Sequence, residues 1–411
     1  MGTLVRMPSL PGPGPQLADR RARAAVAAMF LTNGALFANL VPRYPEIKVA
    51  LDLDNTVYGV AVAAYPAGAI VAGLGAGFVV RRLGSAQAAV VGTILTGLGV
   101  LAAGLAPSFG LLVLALLLGG AMDAVTDVAQ NAHGLRVQRR YGRSIINGFH
   151  AVWSVGAVLG GSMAAAAIAL GLPLGVHLGI STTVFAIVAL VALRFRLPGR
   201  DGDADDGAAA GATPEGGLRG AALRPRTVLI ITALVLIAVG GALVEDAGSS
   251  WATLYLSGSL GAPAALAATG FVALVGAQFV GRMLGDRMVD RFGQRMVARG
   301  GGVIIALGMG LALAFPTVPG TIAGFAAAGL GSATLVPAAM HEADELPGLR
   351  PGTGLTIVSW LMRLGFLASP PLVGMVADAV GLRYGLLVVP VAGLLVVLLA
   401  GVLQARTRTT R

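Results

Sequence analysis

Five ionisable side chains sit inside stretches that are otherwise apolar: Asp123, Asp127, Glu245, Asp246 and Arg363. Charge in such surroundings is costly and marks a working position by default. A carboxylate withdrawn from water can take up and release a proton or hold a cation. Glu245 lies about 18 residues, roughly 27 Å, along an overlong helix; it is the first choice for a proton- or cation-binding acid, the alternative being a carboxylate in a wet outer vestibule. Asp246 points about 100° away on a helix and is the second choice. Gly240, Gly241 and Gly248 surround the pair and suggest a bent or broken helix. Arg363 lies about nine residues, roughly 13 Å, into its apolar run. Its guanidinium can clamp a carboxylate or phosphate on a ligand, or pair permanently with Glu245, Asp286 or Asp290. Asp123 and Asp127 are spaced i, i+4 and share a face. Asp123 is the candidate cavity acid, and Asp127 sits a turn nearer the helix end, within reach of Arg81 and Arg82.

Neutral polar and aromatic residues add to this set. His150 and Trp153 are one helical turn apart: an imidazole titrates near neutrality, and an indole either stacks on a ring or anchors at an interface. Asn33, Asn39 and Gln278 either line an aqueous path or bond between helices. Trp251 and Trp360 offer stacking surface or packing bulk. Other chemistries are excluded. There is no cysteine, hence no thiol chemistry. His341-Glu342 lacks a second histidine at zincin spacing, the four histidines form no metal set, and no phosphate-binding loop is present. No catalytic dyad has convincing spacing, so no enzyme, cofactor or metal is expected.

The elements that must position these residues are membrane helices. The chain of 411 residues is 56% hydrophobic and 12% charged, with mean hydropathy +0.83, far from a soluble composition. A helix needs about 20 apolar residues to cross the hydrocarbon. Twelve such runs lie near 24–42, 57–80, 88–106, 108–130, 148–170, 174–194, 227–256, 263–285, 297–315, 318–340, 354–378 and 384–404. Their continuity excludes the alternation of barrel strands. The net charge of +10 does not point to nucleic acid, because the basic residues cluster in the loops after even-numbered spans and at both ends, with Arg43, Lys48 and Arg383 in the other loops. By the positive-inside rule both termini are cytoplasmic, in a bacterial-type plasma (inner) membrane. Residues 1–20 read as a disordered tail, 21–195 as one six-helix bundle, 196–226 as a charged Ala/Gly-rich linker, 227–404 as a second bundle and 405–411 as a tail.

The second bundle repeats the first after 209 residues: Gly84, Pro107, Gly120 and Gly156 have counterparts at Gly293, Pro316, Gly329 and Gly365. Glycine and proline constrain backbone shape and helix approach, so they preserve a repeated architecture after side chains diverge. Two copies of one apolar unit are the ground plan of a secondary transporter.

At these loops the sequence resembles a known family. Asp290-Arg291-Phe292-Gly293-Gln294-Arg295, after span eight, resembles the loop motif of the major facilitator superfamily, and Arg81-Arg82-Leu83-Gly84 is its degenerate first-half copy. Asp127 to Ala132, Gly148 to Ser154, and Gly281-Arg282-Met283-Leu284-Gly285-Asp286-Arg287 resemble the YbjJ-like branch, distantly similar to fucose permeases. The resemblance covers nearly the whole chain outside the tail and linker. It implies an all-α fold of twelve transmembrane helices in two pseudo-symmetric bundles. It also implies a cytoplasmic gate, carried over to Asp290, Arg291, Gly293, Arg295, Asp286, Arg282, Arg81, Arg82 and Gly84, with Asp127 standing in for the aspartate missing from the first copy.

The resulting expectation is a monomeric secondary active transporter that moves a small solute (sugar, organic acid or drug-like metabolite) by alternating access. Protons are the preferred coupling ion and sodium the alternative. Export instead of uptake, and a membrane sensor built on the same fold, are the competing functions.

Overall fold

The computed structural model describes residues 17–142, 144–197, 225–346, 349 and 352–404. The expected tail over 1–16, most of the expected linker and the stretch 405–411 lie outside the described residues. Twelve helices are long and apolar enough to cross a membrane: Leu17–Ala50, Asn55–Leu83, Ser85–Gly104, Phe109–Tyr141, Ile146–Ala169, Leu174–Arg194, Pro225–Ser259, Ala264–Phe292, Gln294–Ala314, Val318–Asp344, Thr353–Val380 and Leu382–Val402. They are called spans one to twelve below. Several outrun their apolar windows. Span one starts inside the expected tail, where Asp19 meets Arg140 of span four at 3.7 Å, and spans four and eight continue as polar helix to Tyr141 and Phe292.

The glycines of span seven do not break it. Its α-helix runs unbroken from Pro225 to Leu254, and only Tyr255–Ser259 form a π turn. The space of a missing Cβ at Gly241 and Gly248 is taken by Val336 and Leu274, so these glycines serve close packing. Span ten is interrupted at Ala333–Thr334, span twelve at Leu386–Leu387, and span one passes through a 3-10 turn at Val41–Arg43.

The 209-residue repeat is visible in three dimensions. Span one packs on five and six, span two on four, and span three on four and six. Spans seven, eight and nine pack in the same way on eleven and twelve, ten, and ten and twelve. Ser108 caps span four by accepting from Leu111 N, and Thr317, 209 residues later, caps span ten by accepting from Gly320 N. Gly84 and Gly293 end spans two and eight at φ of 83° and 81°, a conformation open to glycine. Gly120 lies against the backbone carbonyl of Tyr65, and Gly329 against that of Leu274, again both members offset by 209.

The two lobes meet along spans two and eleven and along spans five and eight. Their contacts concentrate at the end opposite the described termini. There Gly59 packs on Pro370 and Pro371, Gly374 packs on Asn55, and Tyr58 Oη donates to the Ser250 carbonyl at 2.7 Å. Tyr58 also meets Trp251 edge-on at 5.0 Å and Tyr44 at 5.8 Å, which seals this end with aromatic bulk. At the other end of span two, nothing lies within 4 Å of the Cβ positions of Gly73 and Gly75. Large apolar side chains such as Leu74 and Leu398 are exposed, as lipid-facing surface requires, while Gln130, His177 and Gln278 are buried.

Candidate functional site

Between the lobes lies a chamber of about 180 Å³. Its polar lining comes from five spans: Asn33 on one, Asp123 on four, Trp153 and Ser154 on five, Glu245, Asp246 and Ser249 on seven, and Gln278 on eight. Phe37, Tyr65, Phe271 and Phe366 supply aromatic surface, and Pro66 contributes where a ring replaces a backbone N–H inside span two.

On the first lobe the side chains form a connected network. Asn33 Nδ2 donates to Asp123 Oδ1 at 2.6 Å, and Asn33 Oδ1 accepts from Trp153 Nε1 at 2.8 Å. Gln130 Nε2 lies 3.4 Å from the same Asn33 oxygen and 3.5 Å from Asp127 Oδ1. Asn33 therefore joins Asp123 to Trp153, and Gln130 links that pair toward Asp127. On the second lobe Gln278 Nε2 donates to Glu245 Oε2 at 2.7 Å, and Arg282 Nη2 lies 3.6 Å from the same oxygen. Arg282 Nη1 also reaches Ser154 Oγ at 3.5 Å, so it touches both lobes. Asp246 takes a long hydrogen bond from Ser250 Oγ at 3.4 Å, and its Oδ2, shielded from solvent, lies against the Ser369 hydroxyl.

Several expected positions fall elsewhere. Arg363 is exposed and pairs with none of Glu245, Asp286 and Asp290 among the described residues; Glu245 has Arg282 instead. Arg282, assigned by its sequence neighbours to the gate, borders the chamber, because span eight carries it inward from the loop. Asn39 is buried away from the chamber, with Nδ2 on the Ala35 carbonyl and Oδ1 2.8 Å from His177 Nε2. His150 is exposed and meets Phe30 edge-on at 5.2 Å. Trp251 is fully buried in the aromatic seal, and Trp360 is 44% exposed outside the chamber. Asp127 accepts from Asn131 Nδ2 at 2.9 Å and makes no ion pair with Arg81 or Arg82.

The loop residues are spread apart in this conformation. Asp286 and Asp290 are exposed and unpaired among the described residues. Arg82 and Arg291 lie over the rings of Phe78 and Phe292 at 5.2 and 5.3 Å. Arg295 Nε donates to the Leu403 carbonyl at 3.0 Å, fastening span nine to the end of span twelve. Sequence reasoning missed Tyr65, Ser154, Ser249 and the three phenylalanines of the chamber, since aromatic and small residues are ordinary packing in membrane helices. It also missed Asp378, near the sealed end, which reads in sequence as a solvated terminal charge.

Comparison with known proteins supports this architecture. The sequence pattern of the Major Facilitator Superfamily matches residues 26–288 and 247–411. An uncharacterised transporter of Sinorhizobium fredii, y4wD, is 30% identical over 379 residues, covering 92% of this chain and 97% of that protein. The crystal structure of the nucleoside transporter NupG aligns with TM-score 0.70 at 14% identity, covering 94% of this chain and 98% of that one. A D-xylose-proton symporter aligns with TM-score 0.68 at 16% identity, covering 93% and 96%. With twelve helices, a duplicated lobe and a chamber between the copies, the chain belongs to the Major Facilitator Superfamily and is a multi-pass membrane transporter, not an enzyme.

Proposed function

We propose that the chain carries a small solute through the chamber by alternating access, with protons as the coupling ion. The observation that carries this reading is a chamber polar on both lobes, while the lobes lock together at one end and part at the other. If the basic loops and both termini face the cytoplasm of a bacterial inner membrane, this conformation is open inward. Asp123 and Asp246 are then the proton-carrying acids. Glu245, held by Gln278 and Arg282, senses which lobe Arg282 engages. Asp286, Asp290, Arg291, Arg295, Arg81, Arg82 and Asp127 form the gate that engages when the inner end closes, Gly84 and Gly293 shaping its turns. The D-xylose-proton symporter is a precedent for proton coupling on this fold.

Two blocks that resemble the YbjJ-like branch border the chamber, one through Trp153 and Ser154 and the other through Arg282. That resemblance therefore bears on the site as well as the scaffold.

The test is transport by the purified chain in proteoliposomes. An imposed pH gradient is expected to drive accumulation of a carried solute, and dissipating the gradient is expected to abolish accumulation while leaving counterflow intact. Binding of a solute with neither accumulation nor counterflow would remove the transport reading in favour of a sensor.

A further inference from the structure

We propose that the chamber selects a small organic cation bearing an aliphatic amine over neutral and anionic solutes. This rests on the chamber being the transport site, and it narrows the substrate to one chemical class.

Charge is the first argument. Three carboxylates line the chamber, from Asp123, Glu245 and Asp246, and no lysine, arginine or histidine lines it among the described residues. Arg282 reaches in from the border and compensates Glu245 at 3.6 Å. Asp123 and Asp246 have only neutral hydrogen-bonding partners, Asn33 for the first and Ser250 and Ser369 for the second. The chamber thus holds one uncompensated acid on each lobe. A bound anion would face both, whereas an ammonium group is attracted to both.

The bonding state of Asp246 is the second argument. Its partners are the neutral hydroxyls of Ser369, which lies against its solvent-shielded Oδ2, and of Ser250 at 3.4 Å. Neutral hydroxyls satisfy its lone pairs but leave its charge without a counter-ion, and a bound ammonium group would supply one.

Shape is the third argument. Phe37, Tyr65, Trp153, Phe271 and Phe366 surround the acids, and aromatic faces attract cations. The volume of about 180 Å³ falls below the roughly 300–1,000 Å³ of pockets that take drug-sized ligands, so the cation is small.

Three probes of nearly equal size separate the possibilities: benzylamine, benzyl alcohol and benzoate, titrated calorimetrically into the purified full chain. Benzylamine is expected to bind saturably and at least about tenfold more tightly than either of the others. That margin is expected to shrink to within about threefold in both Asp123→Asn and Asp246→Asn. Equal binding of the three probes, or tighter binding of benzoate, overturns the proposal and needs no variant. A margin unchanged in both variants overturns it as well. Counterflow in proteoliposomes separates this from the transport reading. A benzylamine preference without movement leaves the cation class standing and removes transport. Movement of benzyl alcohol or benzoate but not benzylamine does the reverse.

Discussion

Asp378 on span eleven caps span two of the opposite lobe through Thr56: its Oδ2 accepts from Thr56 N at 2.7 Å and from Thr56 Oγ1 at 2.6 Å. Its other oxygen accepts from Asn55 N at 3.0 Å and from Asn55 Nδ2 at 2.8 Å. One carboxylate thus satisfies two of the free N–H groups at a helix start and also favours the positive end of that helix. The bond runs between lobes, so it belongs to this conformation and must break if the sealed end opens.

Replacing Asp378 with Asn removes the charge and turns one acceptor into a donor. The sealed end is expected to open about fivefold more often, equivalent to ~1 kcal/mol. The chain has no cysteine, so a single Ser249→Cys reports chamber access directly. A membrane-impermeant maleimide applied from the side of the Asp52 loop is expected to label it faster in the Asp378→Asn background. An unchanged rate would show that the cap does not hold this end shut.

Glu245 and Arg282 act as a pair, and Arg282 also touches Ser154 across the lobe boundary. Glu245→Gln and Arg282→Gln are each expected to slow counterflow about tenfold. The double variant is expected to lose far less than the product of the two, because removing both charges leaves neither one stranded. Multiplicative losses would mean that the two side chains work independently.

Asp123 lines the chamber and accepts from the Asn33 amide. Asp123→Asn preserves its size and removes its proton site. It is expected to lose accumulation driven by a pH gradient while measurable exchange persists at saturating solute. Full gradient-driven accumulation in this variant would move the proton site elsewhere, with Asp246 next to be substituted.

Gly120 has no room for a side chain, since a Cβ there would overlap the Tyr65 carbonyl. Gly120→Val is expected to destabilise the first lobe by about 1–3 kcal/mol, lowering its thermal midpoint in detergent. Gly73→Ala, with nothing within 4 Å of the new carbon, is expected to leave the midpoint unchanged. Equal midpoints for the two variants would show that the helices relax apart at low cost.

The helix count and the duplication were legible because hydropathy and the spacing of glycine and proline are local signals. Asn33, Asp123, Trp153, Glu245, Asp246 and Gln278 stood out because polar groups contrast with an apolar run, and the fold gathers all six around one chamber. Phe37, Tyr65 and Phe271 show no such contrast. Arg363 and Trp360 misled for a different reason. Depth along a span is readable from sequence, but the direction a residue faces around the helix depends on packing between lobes, and neither residue lines the chamber. Asp378 escaped notice because its partners lie 322 and 323 residues away in sequence.

The duplicated backbone does not carry duplicated chemistry. Shifted by 209 residues, Asp123 corresponds to Ser332, Asn33 to Ala242, and Glu245 and Asp246 to Leu36 and Phe37. Two mirrored scaffolds therefore present unlike walls to whatever lies between them. A guest turned end for end would find an amide-linked acid where a hydroxyl-linked one had been, so its pose is dictated by side chains alone, and re-specifying the guest would require substitutions on one lobe without disturbing the backbone both copies share.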